Sequence, residues 1–164
     1  MERHKGITIK NCGFEKSMKI IINCDGGSRG NPGPAGIGVI FSDEKGKVIK
    51  EYGQKIGRAT NNEAEYESVI FALQKAKLIF GGKKIKEMPI EVRMDSELVS
   101  KQLNGKYKIL DRKIEQLFLK TWNLKIDFGD VKFIHIPREK NIEADKLANR
   151  AMGASRASDG LPGI

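Results

Sequence analysis

The chain predicts an α/β layered fold built on a mixed sheet, and three observations carry that reading. Apolar, β-branched runs at 18–24, 37–42 and 48–54 follow one another with only short turns between them. From residue 62 to 80 the apolar spacing changes to a helical period. Beyond it, strand-like and helix-like segments alternate as far as residue 152.

The elements follow in order. Strand 18–24 runs into Asp25-Gly26-Gly27, a turn signal. After a loop through Gly36, strands 37–42 and 48–54 are joined by residues 43–47, so the first three strands form an antiparallel meander. In the following helix Glu65, Val69, Ala72, Ala76 and Ile79 recur on one stripe beside Tyr66, Ile70 and Leu73. Asn61 or Asn62 can cap its start, and Gly81-Gly82 ends it. Residues 90–94 read as a fourth strand. Ser96 can cap a short helix through Leu103, and Asp111 another that runs to Ile126. Residues 131–136 form a fifth strand, and Asn141 can cap a last helix reaching Met152. This divides the chain into an N-terminal extension (1–17), one domain (18–153) and a flexible C-terminal tail (154–164).

Composition narrows the class. With 30 Lys+Arg against 21 Asp+Glu the 164-residue chain carries +9, and 31% charged against 39% hydrophobic residues excludes a collagen-like repeat, a coiled coil or a disordered polyampholyte. No apolar run approaches the roughly 20 residues of a membrane helix, and the basic start lacks the apolar core of a signal peptide. Cys12 and Cys24 cannot make a disulfide framework, and Cys24 reads as a small core residue; a reducing cytoplasm and a monomer are the expectations. The positive charge fits a polyanionic partner and equally a soluble lysine-rich protein.

Four carboxylates stand where carboxylates are costly. Glu65 lies on the stripe that should cover the sheet, and Asp145 shares a helix face with Ile142, Ala148 and Met152. An unpartnered carboxylate withdrawn from water costs several kcal/mol, or takes up a proton. Asp25 and Asp95 each follow an apolar strand directly, at the carboxyl ends where sheets gather ligand-binding groups. Rim salt bridges for the helix pair, and turn or cap roles for the strand-end pair, are the ordinary alternatives. Gathered at one edge of the sheet, four like charges would need cations, and hard oxygen donors with few His or Cys nearby select Mg²⁺ or Mn²⁺. Two divalent ions would balance four carboxylates.

These residues resemble type 1 ribonuclease H. The stretches that carry the resemblance are Asp25 in CDGGSRGNPGPAGIG, Glu65 in TNNEAEYESV, Asp95 in MDSELV and Asp145 in HIPREKNIEADKLAN, which together span residues 18–152. The resemblance implies a ribonuclease H-like fold with a five-stranded mixed sheet, its first three strands antiparallel. It implies an endoribonuclease that hydrolyses the RNA strand of RNA/DNA hybrids with two Mg²⁺ ions, Mn²⁺ as a substitute, leaving 3′-hydroxyl and 5′-phosphate ends. Asp25 would bridge both ions, with Glu65, Asp95 and Asp145 completing their shells. His135, ten residues before Asp145, stands where the family carries a mobile-loop histidine suited to proton transfer or product release. The loop HIPREKN is short, like that of the archaeal-type branch, in which an arginine at the place of Arg138 assists. Resemblance to that branch suggests additional cleavage of double-stranded RNA as the alternative within the class, and a non-catalytic nucleic-acid-binding module is the rival from a different class.

The family's substrate contacts carry over residue by residue. The backbone of Gly26 and Gly27, with Asn31 and Asn61, would read 2′-hydroxyls of the RNA strand. Asn62 would reach bases or backbone across the groove, and Arg58 with Thr60 matches the pocket for a phosphate of the DNA strand. Glu97 stands where the family carries glutamine, so a donor amide becomes an acceptor carboxylate. The basic helical protrusion of many relatives has no room in the 39 residues between Asp95 and His135; Lys101, Lys106, Lys108, Arg112 and Lys113 offer a basic patch instead. Trp122 is expected in the core.

Overall fold

A computed structural model describes residues 18–153; the extension at 1–17, with Cys12, and the tail at 154–164 lie outside the described residues. Five strands, β1 (Ile20–Ser28), β2 (Gly33–Asp43), β3 (Val48–Ala59), β4 (Pro89–Met94) and β5 (Asp130–His135), form one sheet in the order β3-β2-β1-β4-β5. The pairs β1–β2 and β2–β3 are antiparallel, whereas β1–β4 and β4–β5 are parallel. Four helices flank it: α1 (Asn61–Phe80), α2 (Glu97–Leu103), α3 (Arg112–Ile126) and α4 (Ile142–Gly153).

The period-2 pattern of the sheet sorts its two faces. Ile20, Ile22, Cys24, Val39, Phe41, Val92 and Met94 pack against Val69, Ala72, Leu73 and Ala76 of α1 in one buried cluster. The hydrophobic effect on this face is the main force holding α1 to the sheet. α3 lies on α1, while α4 covers β1, β2 and β3 from the opposite face. Cys24 is fully buried, and that burial holds its thiol well above the usual range.

Several expected boundaries shift, each for a physical reason. β1 does not turn at Asp25-Gly26-Gly27; it continues to Ser28, and β2 starts at Gly33, so most of the glycine-rich segment is paired backbone. Glycine here serves close approach: a Cβ on Gly26 would stand 2.1 Å from the Ala64 carbonyl oxygen, and one on Gly38 would stand 2.1 Å from that of Ala144. The true turn is Arg29–Pro32, closed by the Arg29 amide donating to the Pro34 carbonyl at 2.8 Å. β3 runs on to Ala59, with a register shift where β2 passes Ala35 and Gly36. Neither Asn61 nor Asn62 caps α1; Thr60 does, its hydroxyl oxygen accepting from the Glu63 amide. Ser96 and Asp111 cap α2 and α3 as expected.

Three further expectations are corrected. Asn141 precedes α4 but sends its side chain to β1 rather than to the helix amides. Ile142 is exposed, so the buried face of α4 is Ala144, Ala148 and Met152. Trp122 is 47% exposed, because α3 turns Ile114 and Thr121 inward and leaves the indole stacked on Phe118 with Lys125 above it. α2 and α3 are joined by residues 104–111 alone, without a helical protrusion.

Candidate active site

Register builds the site. The parallel ladder of β1 and β4 ends at Cys24 beside Met94, so Asp25, next on β1, and Asp95, just past the end of β4, stand side by side. The N-terminal turns of α1 bring Glu65 over them from one face, and α4 brings Asp145 from the other. One ligand oxygen from each of Asp25, Glu65 and Asp95 lies within 4.8 Å of the other two. Asp145 joins them through contact with the carboxyl of Asp25. A cleft of about 580 Å³ opens over the four carboxylates, and Gly26, Gly27, Ser28, Asn61, Asn62, Ser96, Arg138, Asn149 and Met152 complete its lining.

The electrostatics are those of a cluster short of positive charge. Burial, then the charges of Asp95 and Asp145, push the Asp25 carboxyl up to about 8. Burial, then Asp25 and Asp95, raise Glu65 well above the carboxylate range, although the Gly26 amide donates to it. Oε2 of Glu65 is buried without a hydrogen-bond partner. The cationic neighbour in the cleft is Arg138, 82% exposed, with Nε 4.0 Å from Oδ2 of Asp95. A buried, orphaned carboxylate oxygen among like charges fits a hard divalent cation, which supplies both the missing charge and the missing partner. The donor set, oxygen only, agrees.

The rim is stapled by asparagine. The Ser28 amide donates to Oδ1 of Asn61 at 3.0 Å, and the Asn61 amide donates to Oδ1 of Asn31 at 3.1 Å, tying the β1–β2 turn to the start of α1. With both oxygens engaged, what Asn31 and Asn61 have to offer a ligand is their NH₂ groups.

The structure thus brings together Asp25, Glu65, Asp95, Asp145, Arg138, Gly26, Gly27, Asn61 and Asn62, with Asn31 behind them. It does not bring Arg58 and Thr60 into that cleft. Arg58 lines a smaller hollow with Pro34, Ala35, Lys55 and Gly57, and Thr60 is occupied as a helix cap. His135 sits exposed at the end of β5, beside Met94 in register and close enough to Glu97 to help keep that carboxylate ionised. Lys101, placed in the basic patch, is engaged by Glu97 at 2.6 Å and by the Tyr107 hydroxyl at 3.2 Å. Of the residues lining the cleft, sequence reasoning gave Ser96 only a capping role and missed Asn149. Asn149 lies one helical turn beyond Asp145 and donates to its carbonyl at 3.0 Å, so i,i+4 spacing was the available signal.

Among the described residues no helix is long and apolar enough to cross a membrane. A family described as reverse transcriptase-like matches residues 23–151. A ribonuclease H1 isolated from compost superimposes with a TM-score of 0.80 at 47% identity, covering 84% of this chain and 98% of that one. The same compost protein has been solved in complex with an RNA/DNA hybrid, and against that structure the TM-score is 0.79. Ribonuclease HI of Halobacterium salinarum is 43% identical over 128 residues, 78% of this chain and 61% of that protein. A bifunctional protein of Mycobacterium tuberculosis is 41% identical over 142 residues, 86% of this chain and 37% of that protein. The chain therefore spans little more than a third of the mycobacterial relative's length.

Proposed function

The chain belongs to the type 1 ribonuclease H family, and from that premise we propose that it is an endoribonuclease hydrolysing the RNA strand of RNA/DNA hybrids to 3′-hydroxyl and 5′-phosphate ends. The observation that carries the reading is the meeting of Asp25, Glu65, Asp95 and Asp145, from four elements, around a buried carboxylate oxygen that lacks a partner. Mg²⁺, two ions at a time, with Mn²⁺ as a substitute, would be held by these four residues and would supply the Lewis-acid charge that activates water and steadies the leaving oxygen.

The chain's own groups do the rest. Asp25, central to the cluster and touching both Glu65 and Asp145, would be a ligand shared by the cations. Gly26 and Gly27 line the floor of the cleft, where their main chain can face a sugar–phosphate backbone. The NH₂ groups of Asn31 and Asn61 suit ribose 2′-hydroxyls, which accept as well as donate, and Asn62 faces the same cleft. Arg138, exposed at the rim beside Asp95, can meet the scissile phosphate; His135, at the end of β5, can carry a proton away. Arg58 would hold a phosphate of the DNA strand farther out, where the Thr60 hydroxyl proton remains available as a second donor. All four carboxylates come from one chain, so a monomer suffices. A purely binding module gains nothing from four clustered negative charges facing phosphates.

The test is direct. Wild type and Asp25→Asn are incubated with Mg²⁺ or Mn²⁺ and labelled RNA/DNA, RNA/RNA, DNA/DNA and single-stranded RNA. The hybrid should be cut in its RNA strand, and Asp25→Asn should lose roughly a hundredfold or more of that rate. Cleavage of RNA/RNA as well would extend the substrate class to double-stranded RNA. Binding without metal-dependent cleavage of any duplex would overturn the enzyme reading.

A further inference from the structure

Asn141 joins three parts of the cleft through one residue. It is 1% exposed, between the single turn Arg138–Lys140 and α4. Its amide donates to the Arg138 carbonyl at 3.0 Å, and its carbonyl accepts from the Asp145 amide at 3.1 Å. Its side chain leaves the helix axis for β1: Nδ2 donates to the Cys24 carbonyl at 2.8 Å, and Oδ1 accepts from Nδ2 of Asn23 at 3.2 Å. Cys24 is the residue before Asp25 and the last of β1 paired with β4.

Asp25 and Asp145 are carried by separate elements, and their like charges repel. The half of α4 nearest Asp145 rests on the sheet through Ala144 and Ala148 with Gly38 beneath, and the large buried side chain, Met152, comes only at the far end of the helix, so few interlocking side chains near Asp145 oppose a slide. A buried amide that bonds the main chain next to Asp25, one turn ahead of Asp145, does oppose it, and adds no charge of its own. An aspartate there would lose the donor to Cys24 and add a fifth negative charge.

We infer that Asn141 is a positioning residue for the carboxylate cluster: it sets the separation of Asp145 from Asp25 and thereby the affinity of the site for divalent cations. The inference rests on the metal-dependent reading above. Groups that orient metal ligands without touching the ion typically change affinity by about ten- to a hundredfold when removed.

Mn²⁺ binding to the full chain, followed by electron paramagnetic resonance without substrate, tests it in wild type, Asn141→Ala, Asn23→Ala and Ile85→Val. Asn141→Ala should bind Mn²⁺ about tenfold or more weakly, and its kcat on hybrid should fall while KM barely moves. Asn23→Ala, which removes only the longer bond, should fall between it and wild type. Ile85→Val, in the core before β4 and at the far end of the sheet, should melt earlier yet keep its Mn²⁺ affinity. A folded Asn141→Ala with wild-type Mn²⁺ affinity would overturn the inference, leaving a structural role only. If Asn141→Ala does not fold, unchanged affinity in Asn23→Ala overturns it. Wild type that takes up no Mn²⁺ would sink the functional reading itself, a separate failure from unchanged variants.

Discussion

At the scale of single residues, the site is governed by where protons go when cations are withdrawn. Asp25 has a native pKa pushed up to about 8 by burial and by Asp95 and Asp145, far above an unfolded aspartate. A raised native value means the folded state binds the extra proton, so this stabilisation is fully present below the unfolded pKa and disappears as pH rises through the native one. In chelator-treated protein the melting temperature should therefore fall as pH climbs towards 8 and level off beyond it. Saturating Mg²⁺ should flatten that decline, since the ion replaces the proton as the partner of the charge. Melts between pH 5 and 9, with Asp25→Asn as the reference that lacks the titration, measure it. A decline as steep in Asp25→Asn as in wild type would assign it to other groups. The four carboxylates were legible because an acid on an apolar stripe, or at the end of an apolar strand, has few inexpensive explanations. Asn141 was not, since an asparagine before a helix has an ordinary cap role, and only the fold shows its side chain turned to Cys24.

At the scale of elements, the sheet carries glycine where helix backbone comes down on it. Gly38 lies beneath α4, and a Cβ there would also stand 2.8 Å from the Ala148 amide nitrogen and 2.9 Å from Cβ of Leu147. Gly38→Ala must lift α4 from β2, which should cost about 1–3 kcal/mol or more in urea unfolding and displace Asp145 with the helix. Gly46→Ala is the contrast: its Cβ would meet nothing within 4 Å, and only its φ of +84° opposes the change, so about 1 kcal/mol is expected. Equal losses at the two positions would refute the close-approach account. The same glycines explain why strand limits were misread. In sequence, GGSRGNPGPAG signals a loop, because local propensity cannot report that Gly26 meets the backbone of α1 at Ala64, or that Gly36 meets the backbone of α4 at Ala148. Helix limits were easier, since Ser96 and Asp111 cap through bonds only three residues long. Trp122 failed for a tertiary reason: α3 packs on α1 through the stripe of Ile114 and Thr121, and the indole lies off that stripe.

At the scale of the whole molecule, the +9 charge is an average over two opposed parts. Four carboxylates meet in the cleft, and the excess of Lys and Arg lies elsewhere in the chain, so the proposed function assigns cation binding and phosphate binding to separate groups. That separation has a measurable consequence. Each phosphate neutralised by the protein releases counterions, so log affinity for hybrid should fall linearly with log salt, by about 0.9 per contact in a duplex. In an Asp25→Asn background, where cleavage is suppressed, fluorescence anisotropy between 50 and 200 mM salt gives the slope. Arg58→Ala should make it shallower by about 0.9, because its exposed guanidinium forms no ion pair among the described residues and is available to a phosphate. Lys101→Ala should change it much less, because Glu97 and the Tyr107 hydroxyl already hold that ammonium. Equal flattening by both variants would mean that charge acts as a diffuse field over the surface. A change confined to Arg58→Ala would place a discrete phosphate contact on β3, beside the Pro34 and Ala35 hollow, and would fix the direction in which the DNA strand leaves the cleft.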